Sequence, residues 1–112
     1  SKPQGITAIL NVAAEKDLVE PYGLYYKIPL QDFVPISPDD MRRAIHWIQD
    51  QIPHHTILVF CNAGVGRSSS VVIGYLVSTG LGFGEAVEFV AKRKPNMSIL
   101  PFLIETIDQA LR

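Results

Sequence analysis

A thiol and a guanidinium stand at the two ends of one short, glycine-bearing segment, CNAGVGR, which Cys61 opens and Arg67 closes. Glycines let a backbone curl until successive N–H groups converge on one point, and such a cradle binds anions. The spacing predicts that Cys61 lies beneath a bound phosphorus while the planar Arg67 fork grips two phosphate oxygens. A thiolate beside a phosphate ester is a nucleophile for phosphoryl transfer. The predicted phosphate-binding residues are Asn62, Ala63, Gly64, Val65, Gly66 and Arg67.

The segments on either side of this loop are the elements that must position it. Residues 56–60 form an apolar run that predicts a buried strand, and residues 68–78 predict a helix. A helix N-terminus offers free N–H groups and a partial positive charge, which bind phosphate and stabilise a thiolate. The segment lacks the Lys-Ser/Thr pair of a Walker A loop, and Ser69 stands where a dinucleotide fingerprint has its third glycine. The sequence therefore predicts a different kind of phosphate site.

The rest of the chain alternates strands with helices. Residues 6–12 and 24–28 predict strands, the second closed by Pro29, and Ser37-Pro38 begins a helix that ends at Pro53. That helix has an apolar stripe of Met41, Ile45, Ile48 and Ile52. Pro101 begins a last predicted helix, whose apolar stripe includes Leu103, Ile107, Ala110 and Leu111. A further helix is predicted over residues 85–94. The pattern favours a single α/β domain over residues 1–112, with a mostly parallel central sheet flanked by helices.

Three carboxylic acids upstream of the loop are candidates for protonating a leaving group. Asp39 and Asp40 have a sufficient structural explanation as acids in the first turn of a helix. Asp32 follows a strand within an irregular loop, where catalytic groups collect. We predict that Asp32 is the general acid.

Composition excludes several other classes of protein. The chain has 112 residues, one cysteine and a formal net charge of −1. A single cysteine excludes a disulfide framework and a Cys-ligated zinc cluster, and the charge balance argues against nucleic-acid binding. No apolar run is long enough to span a membrane. We expect a cytoplasmic domain that needs neither metal nor cofactor.

The segment from Cys61 to Ser68 matches C-x5-R followed by Ser or Thr, and the chain thereby resembles the Cys-based protein tyrosine phosphatase superfamily, in particular its small dual-specificity class. Residues 5–12, 29–32, 85–87 and 93–95 are also similar to segments of that family. The resemblance implies hydrolysis of phosphotyrosine, phosphoserine and phosphothreonine in protein substrates through a phosphocysteine intermediate. It also implies that the Ser68 hydroxyl donates to the thiolate and eases breakdown of that intermediate.

Two alternative functions remain open at this stage. The segment from Glu85 to Pro101 is also similar to a lipid phosphatase of the phosphatidylglycerophosphate type, although the loop interior carries no Lys or Arg. A catalytically weak phospho-binding module is the other alternative.

Phe60 stands where family members carry histidine, which predicts a weaker nucleophile. The family usually begins with a further strand and helix, so we expect a minimal or trimmed version whose sheet lacks an N-terminal edge strand. Oligomeric state stays open.

Overall fold

A short, fully buried strand lies at the centre of the sheet. The computed structural model describes residues 5–62 and 66–112, and in it β1 (Ala8–Ala13) is buried along its whole length. Strand β2 (Leu24–Leu30) pairs with β1 on one side and β3 (Ile57–Phe60) pairs with it on the other, both in parallel. The carboxyl ends of all three strands therefore meet at one edge, and the predicted parallel α/β fold is confirmed.

Four helices accompany this sheet: α1 (Pro38–Gln51), α2 (Gly66–Ser78), α3 (Phe83–Arg93) and α4 (Leu103–Ala110). Helix α1 begins as predicted, because the Ser37 side chain accepts a hydrogen bond from the backbone N–H of Asp40 at 3.1 Å. Helix α2 packs against α1 and α3, and α4 packs against α1. None of the described helices has the length and apolar character required to cross a bilayer.

Gly74 sets the close approach of α2 to α1. A Cβ atom at this position would lie 2.6 Å from Sδ of Met41, a side chain with no exposed surface. Since interiors are close-packed, that space holds only the glycine hydrogen. Helix α2 is thus anchored in the core through one face while its first turn reaches the carboxyl edge of the sheet.

The structure corrects the predicted end of the second strand. Pro29 does not close it, because β2 continues through Pro29 to Leu30. The register between β1 and β2 shifts between Asn11 and Ala13, opposite this proline. A proline cannot donate to a strand ladder and is tolerated at such an irregularity or on an edge strand.

The helix boundaries and stripes also differ from expectation at their ends. Helix α2 begins at Gly66 rather than at residue 68, and α4 begins at Leu103 after Phe102 rather than at Pro101. Ile52 and Leu111 are exposed, since each follows the last full turn of its helix and leaves the buried stripe. Ala44 and Thr106 are buried on those stripes instead.

Candidate active site

The sulfur of Cys61 lies directly after β3 and faces the first turn of α2. Its Sγ is 3.1 Å from Oγ of Ser68, and the thiol donates to that hydroxyl oxygen. A serine hydroxyl both donates and accepts, so the same pair can reverse and stabilise a thiolate once the sulfur loses its proton. Cys61 is half-buried and Ser68 is buried. The structure therefore brings together two residues that the sequence predicted for the site.

Arg67 is a buried cation with only 1% of its surface exposed. Its Nη1 and Nη2 donate to the two carboxylate oxygens of Glu15 at 2.7 and 2.8 Å. Nη1 also donates to the backbone carbonyl of Leu30 at 3.1 Å. The hydrogen bond to Glu15 raises the pKa of Arg67 above its already high ordinary value. The guanidinium is therefore held between the ends of β1 and β2.

The second edge of this guanidinium has a different environment. A guanidinium presents one bidentate edge through Nη1 and Nη2 and another through Nε and Nη2. Glu15 takes the first edge, whereas the Nε of Arg67 is buried and has no hydrogen-bond partner within the described part of the chain. Because buried donors are nearly always satisfied, a buried N–H without a protein partner points to a site for an anion or water.

Asp32 lies beside the same arginine. Its side chain is 19% exposed, and its Oδ2 is 3.9 Å from Nη2 of Arg67. Its Oδ1 accepts the backbone N–H of Phe33 at 3.0 Å, which leaves Oδ2 as the oxygen on the side of the arginine. A Cβ built on Gly66 would be 3.6 Å from Oδ1, so the acid also adjoins the first turn of α2.

The other two acids have partners of their own on α1. Asp39 accepts from Arg42 at 2.8 Å and Asp40 accepts from Arg43 at 2.6 Å. The two members of each pair are three positions apart, which places them on the same face of the helix. The described contacts of Asp39 and Asp40 thus agree with the structural explanation that the sequence offered for them.

The loop between strand and helix is described only at its two ends. Asn62 is exposed and Gly66 is buried, while Ala63, Gly64 and Val65 lie outside the described residues. At Gly66, a Cβ would meet Oγ of Ser98 at 3.1 Å and Cδ2 of Leu100 at 3.5 Å. The close approach of this neighbouring segment explains a glycine at the start of α2. The phosphate-binding role of Asn62, Ala63, Gly64, Val65 and Gly66 stays a prediction.

Sequence reasoning missed Glu15. Its side chain is 48% exposed, yet the hydrogen bond from Arg67 lowers its pKa from 4.5 to about 2, with a further contribution from the Asn62 side chain. The carboxylate is therefore ionised at neutral pH. A signal was present, since Glu15 stands two residues beyond the end of β1, at the strand edge where ligands bind in parallel sheets.

The acids, the cysteine and the histidines of the described residues form no group of three that would hold a metal ion. The chemistry that the described site offers is that of a thiol, a hydroxyl, a carboxylic acid and a buried guanidinium. These groups suit nucleophilic attack on a bound oxyanion ester, followed by proton transfer.

The comparisons with known proteins assign the family. The chain belongs to the dual specificity phosphatase family, whose catalytic domain matches residues 1–109. It is 33% identical to human dual specificity protein phosphatase 2 over 117 aligned residues, which cover 96% of this chain and 37% of that protein. It is 34% identical to mouse dual specificity protein phosphatase 14 over 99 residues, covering 82% and 48% of the two chains. The chain thus spans less than half the length of these relatives.

Solved structures share the fold at lower sequence identity. Human DUSP28 superposes with a TM-score of 0.82 at 19% identity, covering 96% of this chain and 78% of that one. Tk-PTP in its active form gives a TM-score of 0.81 at 20% identity, with 96% and 80% covered. The resemblance found in the sequence, to the small dual-specificity class, is therefore confirmed in family and in fold.

Proposed function

We propose that this chain hydrolyses the phosphate monoesters of tyrosine, serine and threonine in protein substrates through a phosphocysteine intermediate. The observation that carries the proposal is the buried Arg67 guanidinium, whose Nε has no hydrogen-bond partner among the described residues. Cys61 lies at the start of the loop that ends at Arg67, and Oδ2 of Asp32 lies 3.9 Å from Nη2 of Arg67. Membership of the dual specificity phosphatase family supports this chemistry.

In the first step the Cys61 thiolate attacks phosphorus in line with the ester oxygen. The S–P bond forms as the P–O bond to the leaving group breaks. Nε–H and Nη2–H of Arg67 bind two non-bridging oxygens, which places positive charge where negative charge accumulates in the transition state. The N-terminus of α2 adds its partial positive charge on the same side.

Proton transfer falls to Asp32 in both steps. As a neutral acid it donates its proton to the departing alcohol or phenol oxygen, and it leaves the first step as a carboxylate. It then takes a proton from water, whose oxygen attacks the phosphocysteine and releases phosphate. The S–P bond breaks, and the Ser68 hydroxyl, 3.1 Å from the sulfur, stabilises the returning thiolate.

The family assignment favours a protein substrate over the two alternatives. The relatives that match across nearly the whole chain are dual specificity protein phosphatases. A polyanionic lipid headgroup would call for cations within the loop, and the five residues between Cys61 and Arg67 include no Lys or Arg. A non-catalytic phospho-binding module would not need a thiol, a hydroxyl and an acid together. We therefore place phosphorylated proteins first among the partners of this domain.

A substrate panel with one inactive variant tests the proposal. Phosphotyrosine, phosphoserine and phosphothreonine peptides, phosphoinositides and phosphatidylglycerophosphate are each incubated with the parent chain and with Cys61→Ser, and released phosphate is measured. We expect turnover of the peptides by the parent and none by Cys61→Ser. The variant should still bind orthovanadate non-covalently, because Arg67 is intact. Preferential turnover of either lipid, or a serine variant as fast as the parent, would overturn the proposal.

A further inference from the structure

We propose that Glu15 is a positioning residue for Arg67: its carboxylate holds the Nη1–Nη2 edge of the guanidinium and thereby turns the Nε–Nη2 edge toward the phosphate. The inference rests on the proposed function and assigns a role to a residue outside the C-x5-R motif. It begins from two contacts of 2.7 and 2.8 Å that use both oxygens of Glu15.

A bidentate pair fixes the rotation of a guanidinium about its long side chain. Ordering a free arginine side chain costs rotamer entropy, and a guanidinium that is already held in place loses less of that entropy when a ligand binds. In this chain Glu15 and the carbonyl of Leu30 fix Arg67 before any ligand binds. The Nε–H bond of Arg67, which has no hydrogen-bond partner among the described residues, then points in one fixed direction. The arginine is therefore pre-organised for an oxyanion.

The segment that carries Glu15 is itself tied to the sheet. Asn11 is fully buried in β1, and its side-chain amide donates to the backbone carbonyl of Lys16 at 2.8 Å. Its amide oxygen accepts the backbone N–H of Ala13 at 2.9 Å. Lys27 of β2 donates to the same Lys16 carbonyl at 3.1 Å. These bonds hold the backbone on both sides of Glu15, so its carboxylate has a defined position.

Glu15 also connects the two ends of the predicted phosphate loop. It accepts from Arg67 at the end of that loop and interacts by a hydrogen bond with the Asn62 side chain at its start. A neutral Glu15–Arg67 pair adds little long-range attraction for a dianion, because the two charges offset each other. Glu15 therefore contributes orientation rather than charge. Its loss should lower kcat more than it raises KM.

The test uses the full chain with four single substitutions and one double substitution. Glu15→Ala removes both contacts, and Glu15→Gln keeps one acceptor and nearly the same shape. Glu20→Gln is the matched control, since Glu20 is an exposed glutamate in the same connection between β1 and β2. Arg67→Lys is combined with Glu15→Ala in a double-mutant cycle. Turnover of a phosphotyrosine peptide and binding of orthovanadate are measured for each, and thermal unfolding identifies the variants that fold.

We expect kcat to fall roughly 10- to 100-fold in Glu15→Ala, the range that follows from misplacing a reacting group by about an ångström. KM should change by less than about threefold, since uniform binding is retained. The kcat of Glu15→Gln should lie between that of the parent and that of Glu15→Ala. In the Arg67→Lys background Glu15→Ala should cost roughly threefold or less, because a residue that acts through Arg67 has no fork left to orient.

Several results would overturn the inference. Parent-level kcat in Glu15→Gln, losses that multiply in the double variant, or an equal loss in Glu20→Gln would each show that Glu15 does not act through Arg67. If Glu15→Ala does not fold, the Gln variant decides alone. A parent that hydrolyses no phosphoester overturns the proposed function and this inference with it. If the parent hydrolyses the peptide and the Glu15 variants have the same kcat as the parent, the inference about Glu15 is overturned and the proposed function is not.

Discussion

Replacing Asp32 by asparagine should slow hydrolysis in a way that depends on the leaving group. Asparagine keeps the size of the side chain and an oxygen that can accept the Phe33 N–H at the position of Oδ1. It removes the proton that an acid would deliver from Oδ2. Since Oδ2 is 3.9 Å from the buried Arg67 guanidinium, the change is confined to the atoms expected to face the ester oxygen.

The expected magnitude follows from that placement. A positioned general acid contributes roughly 10²- to 10⁴-fold, which corresponds to about 3–5 kcal/mol of transition-state free energy. Asp32 is mostly buried, so solvent water has limited access to replace it as a proton donor. The loss should be largest for phosphoserine, whose alkoxide leaving group needs the proton most. It should be smallest for nitrophenyl phosphate, whose phenolate leaves without help.

The assay compares kcat/KM for these two esters in Asp32→Asn, with Asp39→Asn and Asp40→Asn as matched controls. Each control removes one carboxylate that pairs with an arginine on α1. Helical ion pairs of that spacing contribute only about 0.2–0.5 kcal/mol to stability, so both controls should retain parent kinetics. An equal loss for both esters in Asp32→Asn, or a leaving-group-dependent loss in either control, would refute the assignment of Asp32.

Three other perturbations have defined outcomes. Arg67→Lys should lower kcat/KM roughly 10²-fold or more, because an ammonium replaces a bidentate fork with a point charge; parent kinetics would remove Arg67 from the site. Asn11→Ala should reduce the free energy of unfolding, measured in urea, by about 2–4 kcal/mol. The substitution leaves the buried N–H of Ala13 without its acceptor and opens a small cavity. A loss under about 1 kcal/mol would contradict this expectation. Because Arg67 lowers the pKa of Glu15 from 4.5 to about 2, the ionised carboxylate stabilises the fold above pH 4.5, and this contribution is lost as the pH falls toward 2. The Tm of the parent should therefore drop more steeply across that window than the Tm of Glu15→Gln, and parallel curves would argue against the pairing.

Local sequence carried most of the site and little of what surrounds Arg67. Apolar runs predicted the strand before Cys61 and the helix after it. The contact between Cys61 and Ser68 was implied only by the resemblance to the phosphatase family. The Glu15 contact joins residues 52 positions apart, and its geometry depends on the parallel register of β1 with its neighbours. No local periodicity encodes that register.

Errors at the ends of elements have a related physical cause. Ile52 continues the apolar spacing of α1, yet it is the C-cap residue and its side chain is exposed. Pro29 ends a strand in most settings, but here it lies in an edge strand opposite the register shift of β1, where a proline is tolerated. In both cases the sequence signal was local and the outcome was decided by what packs or pairs across from it.

The hydrogen bonds of Arg67 have a consequence for the order in which this protein folds. Its guanidinium joins segments 52 and 37 residues away along the chain. Contacts of that sequence separation carry a substantial loop-closure entropy and depend on native strand pairing. A partly folded chain therefore has Cys61 but not the Glu15–Arg67 pair, and the proposed site is complete only when the carboxyl edge of the sheet has formed. Local opening of the segment after either β1 or β2 would take the same group apart, so hydrogen exchange at these strand ends should report on the competence of the site.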